Sequence, residues 1–428
     1  MSVATSCAAS VVAVSPAGRA HDAPAVATCD RKALLEALTL ACKVAPRRSP
    51  KPVLQNVRLA FSGSEGVTVY ATDLEQSLSV HVTRCDVSQS GAFLAPAREL
   101  LAVVRDSADV VIKLDAYRGR VHVVGDNTFA ELTPAGAGAG VTVDDYPAPV
   151  AAGADWLGAV NVDAASLLEL IRGTIGATDT ESSRYALGGS LFQLEPPTEL
   201  EAETRRAAGL APVATLLAIG TDGRRLHRIA CDVVDFDAAE GAFSGVDTIP
   251  PARSLKTLAA ALKGRTDSVT FAKTRDAVTF SAESFTFSSR LLEGRYPRWR
   301  DVVPSRLESF KVSATVGELA AALKAAKVAT SEENRGVDFT FGSQAIALEV
   351  EEGPRDARRC TFSRRLAAVT PSCGTVEVTL DPRYVLDFLA VLDKRQAVEV
   401  ETVDCDSAVV LRAHNALAVV MPLARDRN

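Results

Sequence analysis

Two Thr-Asp pairs are the first residues whose type and placement could do chemistry. They are Thr72-Asp73 in "YATDLEQSLSV" (70–80) and Thr221-Asp222 in "IGTDGRRLHRI" (219–229). Each follows an apolar run and precedes apolar residues at alternating spacing. Aspartates so placed could hold a metal for hydrolysis of a nucleic acid, and "GTDG" invites comparison with a phosphate loop. The loop reading lacks the lysine and the glycine spacing of G-x-x-x-x-G-K-[ST]. The two aspartates lie about 150 residues apart, and an aspartate at a strand end is commonest as the closer of a turn. The five histidines (His21, His81, His122, His227, His414) are dispersed and form no triad or metal pair. Cys7, Cys29, Cys42, Cys85, Cys231, Cys360, Cys373 and Cys405 contain no C-x-x-C pair. They read as free thiols of a reducing compartment. No catalytic constellation emerges.

The elements that must position these residues repeat. A chain of 428 residues exceeds what one core supports, so several domains are expected. Helical periodicity with a cap in front marks "DRKALLEALTLACKVA" (30–45), "DAASLLELIRGTIGAT" (163–178) and "TVGELAAALKAAKVAT" (315–330). Strand pairs follow each: "VLQNVRLAF" with "VTVYATDLEQSLSV", "RYALGGSLFQL" with "TLLAIGTDGRRLHRIACDV", and "RGVDFTFG" with "AIALEVE". A second helix with proline near its first turn comes next, in "APARELLAVVRD" (95), "PPARSLKTLAAALKG" (250) and "DPRYVLDFLAVLDK" (381). Further alternating strands close each unit. Helix, strands, helix, strands therefore occurs three times, with turn-rich boundaries near 146–155 and 302–309. The stretch "EPPTELEAETRRAAGLAP" (195–212) interrupts the second unit and reads as a solvated loop. The first 28 residues lack a secretory pattern and read as a flexible tail or an overlong start. No stretch approaches the ~20 apolar residues of a membrane helix, so a soluble, cytoplasmic protein is expected.

Net charge is −6, yet the predicted helices carry Arg31, Lys32, Lys43, Arg98, Arg105, Arg172, Arg253, Lys256, Lys263, Lys324, Lys327, Arg383, Lys394 and Arg395. Loop residues Arg47, Arg48, Lys51 and Arg184 add to them. Helices gathered on one face would give a basic surface on an acidic protein, suited to a duplex met through its phosphates. Lysine and arginine are also good helix formers whose charged ends face water, and the threefold repetition is what favours the first reading. No zinc finger, RNA-recognition signature or aromatic stripe supports base readout.

Taken in order, "KPVLQNVRLAF", "ATDLE", "RYALGG", "GTDGRRL", "SRLLEGRYPRWRDVVPS", "NRGV", "YVLDFL" and "VVMPL" resemble the beta subunit of bacterial DNA polymerase III, the sliding clamp family, over about residues 26–425. The resemblance implies an α+β fold of three clamp domains, with helices lining a central hole and antiparallel sheets outside. The expected divisions are a flexible tail (1–25), domain I (26–150), domain II (155–305) and domain III (308–428). It implies a head-to-tail homodimer, the first domain of one chain meeting the third of the other, closed around DNA as a non-catalytic processivity factor with no cofactor and no metal. Implied partners are double-stranded DNA without sequence preference, the polymerase III catalytic subunit, a clamp loader, and other polymerases and repair proteins bearing short linear motifs. The implied location is the cytoplasm, at the nucleoid.

Carried over residue by residue, the family's partner-peptide pocket comprises Leu187, Thr221, Gly223, Arg225, Leu226, Pro297, Val302, Val419, Val420, Met421 and Pro422, with Tyr384 nearby. Arg225 and Leu226 are expected to meet Pro297 and the terminal "VVMP". Arg48, Arg98, Arg184, Tyr185 and Arg253 are the implied DNA contacts. Departures from the family pattern are Arg224 in place of histidine, Asp301 in place of arginine, and Leu423 and Ala424 at the carboxy-terminal end. The rival readings are a metal-dependent enzyme of nucleic-acid metabolism built on Asp73 and Asp222, and a monomeric peptide-binding scaffold.

Overall fold

A computed structural model describes residues 24–148, 156–179, 185–233, 235–238, 247–304, 310–331, 335–342, 345–351, 361–367 and 375–423. Among them are seven α-helices: α1 (Arg31–Val44), α2 (Ala97–Asp106), α3 (Ala164–Ile175), α4 (Glu199–Ala207), α5 (Ala252–Leu262), α6 (Val316–Val328) and α7 (Pro382–Leu389). All but α4 lie where sequence periodicity puts them. Side-chain capping sets several of their starts: the Asp30 carboxylate accepts the Ala33 amide at 2.9 Å before α1, and Asp381 accepts the Arg383 amide at 2.9 Å before α7.

Two segments differ from expectation. Within 195–212, α4 replaces the expected loop, because Thr198 and Glu201 form a reciprocal capping box: the Glu201 amide donates to Thr198 Oγ1 at 3.3 Å, and the Thr198 amide donates to Glu201 Oε2 at 2.9 Å. At the amino end, residues 25–28 belong to a strand, Ala25–Asp30, and not to a tail. Its alternating small residues pair with 85–89 on one side and 111–117 on the other. Residues 1–23 of the expected tail lie outside the described residues.

The described residues fall into two compact units. The unit drawn from Met1–Ala164, Asp237–Ala242 and Ala260–Leu291 holds a five-stranded antiparallel sheet in the order 85–89, 25–30, 111–117, 120–124, 129–132. It also holds eight consecutive strands of a nine-stranded sheet: 158–163, 268–273, 277–282, 285–290, 76–82, 66–72, 56–62 and 91–96. In this sheet Phe285 pairs with Val80 and Phe287 with Leu78. Helix α1 packs on α2 and on strands 66–72 and 76–82, through Leu34, Leu38 and Ala41 at three- and four-residue spacing.

The unit drawn from Ala165–Phe236, Phe243–Ala259 and Leu292–Asn428 holds a seven-stranded sheet ordered 191–195, 214–221, 225–233, 416–420, 409–413, 397–402, 310–315. A four-stranded sheet follows the order 361–367, 345–351, 337–341, 376–380. Helix α6 packs on α7, and α7 on strand 416–420. Helix α3 lies so close to strands 214–221 and 225–233 that two glycines are obligatory. A Cβ on Gly220 would stand 2.2 Å from the Thr174 carbonyl oxygen, and one on Gly173 would stand 2.3 Å from Ile229 Cγ1. Because the obstacle at Gly220 is backbone, it cannot rotate aside. Gly220→Ala is expected to destabilise the protein by roughly 1–3 kcal/mol, seen in urea titration as a lower midpoint at an unchanged slope.

Candidate functional site

The corner at Thr221-Asp222-Gly223 is wired by its own side chains. Asp222 Oδ1 accepts the amides of Arg224 (2.9 Å) and Arg225 (3.0 Å). The Thr221 hydroxyl donates to the Arg225 carbonyl at 2.6 Å and accepts the Gly223 amide at 3.1 Å. The corner at Thr72-Asp73 has the same wiring: Asp73 Oδ1 accepts the amides of Glu75 and Gln76, and the Thr72 hydroxyl donates to the Gln76 carbonyl at 2.9 Å. The third corner residue is left-handed in both, Gly223 at φ 86° and Leu74 at φ 78°. Both aspartates are thus turn closers, their oxygens held by the backbone they fold.

The two corners differ in the residue that follows. In the first, the Gln76 side-chain amide returns to Asp73 at 3.2 Å. In the second, the Arg225 guanidinium donates through Nε to Asp222 Oδ2 (3.0 Å), through Nη1 to Asp387 Oδ2 (2.6 Å) and through Nη2 to the Gly176 carbonyl (2.5 Å). Its central carbon also stands 4.5 Å from the centre of the Tyr384 ring. One side chain, only 11% exposed, therefore ties the strand corner to the end of α3 and to α7. Tyr384 and Asp387 reach it together because they are three residues apart on one helix. A cleft of about 1120 Å3 opens beside this junction, lined by Gly176, Thr178, Asp179, Gly223, Arg224, Arg225, Lys256 and Tyr384 among others.

Two residues farther along the strand, on the same face, His227 is fully buried. Its Nδ1 donates to the Gly173 carbonyl at 3.0 Å, and its ring meets Phe388 edge-on at 5.4 Å. Burial holds its pKa down at about 4, helped by nearby Arg225 and opposed by the Gly173 hydrogen bond.

The opposite face of the sheet carries an apolar cluster. Leu187, Leu226 and Val419 are buried there with Leu217, Ile219, Leu417, Tyr296 and Trp299. Tyr296 donates its hydroxyl to the Ile219 carbonyl (3.1 Å), and Trp299 donates its indole N–H to Gln193 (3.2 Å). Pro297 stands exposed between these two aromatics, and Val302, 52% exposed, precedes Val303, which packs against the cluster. Met421 continues the sheet by donating its amide to the Arg224 carbonyl at 2.9 Å, and its side chain is 46% exposed.

The predicted pocket residues therefore divide between two faces. Leu187, Leu226 and Val419 meet in the apolar cluster, flanked in sequence by Pro297, Val302, Met421 and half-buried Pro422. Gly223, Arg225 and Tyr384 line the cleft on the helix side. Val420 is buried in the strand and pairs with Arg225, and Thr221 serves the turn. The expectation that Arg225 meets Pro297 is corrected. Its backbone does pair with Val420, but successive strand residues face opposite ways, so its side chain joins the helices while that of Leu226 joins the cluster. Asp387 and His227 were missed as partners of this junction. Asp387 was legible in "YVLDFL" from its three-residue spacing to Tyr384, whereas His227 had no local signal.

Among the predicted DNA contacts, Arg48, Arg98 and Arg253 are exposed. Arg98 also donates to the Cys42 carbonyl in the last turn of α1 at 2.7 Å, a bond that does not exhaust the five donors of a guanidinium. Arg184 lies outside the described residues, as does the side chain of Tyr185. Of the departures, Asp301 is exposed in a short turn of 3-10 helix, Trp299–Val302. Leu423 donates its amide to the Thr379 carbonyl at 2.9 Å, and Ala424 lies outside the described residues.

Comparison with known proteins adds the following. Residues 26–148 match the family described as DNA polymerase III beta subunit, N-terminal domain. The chain is 25% identical over 401 residues to the beta sliding clamp of Pseudomonas aeruginosa, covering 92% of this chain and 99% of that one. Its fold is similar to that of a sliding clamp (DNA polymerase III subunit beta) from Pseudomonas aeruginosa bound to griselimycin, with a TM-score of 0.80 at 22% identity over 94% of this chain and 100% of the other. The DNA polymerase sliding clamp from Bacillus subtilis is similar at a TM-score of 0.78 and 19% identity, with coverage of 94% and 100%.

The junction's buried histidine makes stability depend on pH. Between the ordinary value of 6.5 and about 4, the unfolded imidazole binds a proton that the folded one refuses, so stability rises with pH across that window. It is complete above about pH 6.5 and falls by about 3 kcal/mol as pH drops through the window towards 4. Urea titrations at several pH values in this range are expected to show a shallower dependence for His227→Asn than for the unmodified protein.

Proposed function

The chain belongs to the DNA polymerase III beta subunit family, the bacterial sliding clamps, and on that premise we propose how its residues serve that role. It is a DNA sliding clamp, a non-catalytic processivity factor that encircles duplex DNA and tethers the polymerase and other replication and repair proteins. Its work is topological. A closed ring cannot leave a duplex sideways, and diffuse phosphate contacts permit sliding. A polymerase held to the ring stays at high local concentration and re-engages after each release.

We divide the chain into three clamp domains, 26–150, 155–305 and 308–428. Two copies meet head to tail, and exposed apolar residues in each of the two units support this. Phe129, 73% exposed, lies on strand 129–132 at the edge of the five-stranded sheet, and Val328, 82% exposed, ends α6 in the unit whose four-stranded sheet has 361–367 at its edge. A second copy would cover such edges. Arg48, Arg98 and Arg253, together with Arg184 and Tyr185, serve as dispersed DNA contacts. The place of work is the cytoplasm, at the nucleoid; no helix among the described residues is long and apolar enough to cross a membrane.

The partner-peptide site is the surface over the apolar cluster, with Leu187, Leu226 and Val419 as floor and Pro297, Val302, Met421 and Pro422 as rim. The observation that carries it is that Pro297, Val302 and Met421 are exposed apolar residues beside cluster members in sequence: Tyr296, Trp299, Val303 and Val419. Such a surface suits the apolar end of a short peptide, with methionine adapting to several partners. The cleft beside Arg225 and Tyr384 extends the site to polar peptide residues. The test is fluorescence anisotropy with a labelled partner peptide ending in apolar residues. Val302→Asp and Met421→Asp, both at exposed positions, are expected to weaken binding at least about tenfold, the ~1.4 kcal/mol or more lost when a charge must be desolvated in an apolar contact. Unchanged affinity in both variants would remove this surface from the account.

A further inference from the structure

Two thiols meet in the five-stranded sheet, in a place that neither DNA nor peptide binding uses. Cys29 and Cys85 occupy directly opposed positions on antiparallel strands 25–30 and 85–89. The Asp30 amide donates to the Arg84 carbonyl at 3.0 Å, which makes Asp30 and Arg84 a hydrogen-bonded pair. The next pair inward, Cys29 and Cys85, is then the non-hydrogen-bonded kind, whose Cα atoms stand only ~4.5 Å apart with both side chains on one face. That separation falls within the range a disulfide spans, about 4.4–6.8 Å.

The surroundings differ for the two sulfurs. Cys29 is buried, at 1% exposure. Burial, with the Cys85 thiol as the next contribution, pushes its pKa up to about 12. Cys85 is half-exposed on the edge strand. Its sulfur accepts the Val67 amide at 3.2 Å and donates to the Val82 carbonyl at 3.2 Å. The space beside it is kept by Gly66, where a Cβ would stand 2.7 Å from the sulfur. The pair therefore has one member open to a small oxidant and one held in reserve behind it.

We propose that Cys29 and Cys85 form a reversible oxidation site, which a peroxide converts to a cross-strand disulfide and a small-molecule thiol restores. In the first step the Cys85 thiolate attacks one oxygen of hydrogen peroxide. The O–O bond breaks, an S–O bond forms, and the departing hydroxide takes up a proton as water. In the second, the Cys29 sulfur, giving up its proton, attacks the Cys85 sulfenic sulfur. The S–S bond forms, the S–O bond breaks, and a second water leaves. Two thiols are oxidised by two electrons in all, and one peroxide is reduced to two waters. Two equivalents of a small thiol reverse the change by exchange through a mixed disulfide. The product fastens edge strand 85–89 covalently to strand 25–30, its neighbour in the sheet.

The test uses the full chain, fully reduced, treated with one equivalent of hydrogen peroxide, alkylated without reduction, digested and analysed by mass spectrometry. The expected result is a linked peptide pair containing Cys29 and Cys85, a loss of two titratable thiols from the eight present, and recovery of both after dithiothreitol. In Cys85→Ser the linked pair is expected to vanish while Cys29 stays alkylatable only after unfolding. Because Cys85 is half-exposed, this variant tests the site without opening the core. Oxidation of Cys85 to sulfinic acid with Cys29 left reduced, linkage of Cys85 to a different cysteine, or no loss of thiol would each overturn the proposal.

Discussion

The Arg225 guanidinium is the contact on which the arrangement around the proposed site depends. Three of its donors are directed to three different segments, Asp222 in the strand corner, Gly176 after α3 and Asp387 on α7, while its face lies against Tyr384. Placing a charge at 11% exposure carries a desolvation cost that a single ion pair does not reliably repay. Here the planar fork meets two carboxylates, a carbonyl and a ring at once, a geometry that lysine's single ammonium cannot reproduce. The equivalent corner at Thr72-Asp73 keeps the same wiring with Gln76 at the position of Arg225, so Arg225 is not needed to make the turn. It joins the turn to two helices.

That junction lets one sheet serve two purposes. On the helix side, Gly173 and Gly220 bring α3 down until His227 can donate to the Gly173 carbonyl. On the other side, Leu226 and Val419 are left to build an apolar floor with Tyr296 and Trp299. Under the proposed peptide-binding role, a floor already packed in the free protein spares binding the cost of ordering it. The DNA-facing role asks less of any single residue. Phosphate contacts are dispersed and individually weak, which is how a chain of net charge −6 can hold a polyanion through local basic positions.

The helices were legible because both their periodicity and their caps are local. Asp30, Thr315 and Asp381 mark three starts within four residues of chain, whereas the Thr198–Glu201 box of α4 stands behind Pro196-Pro197, a pair that reads as loop. The sheets were legible as strands but not as partners. Pairing of 285–290 with 76–82, or of 225–233 with 416–420, joins positions some 200 residues apart, and no local pattern encodes that choice. The pocket residues come from the resemblance, and their division between two faces follows from strand alternation at Arg225-Leu226. His227 needed the structure, because only the approach of α3 and α7 buries it.

Encirclement of DNA by this chain can be read out by loading it onto closed circular duplex with a clamp loader and following the complex by gel filtration before and after one restriction cut. Co-elution with the closed circle through a moderate-salt wash, and release once the circle is linearised, are expected. Protein that stays with the cut DNA, or that never remains with the closed circle, would contradict encirclement.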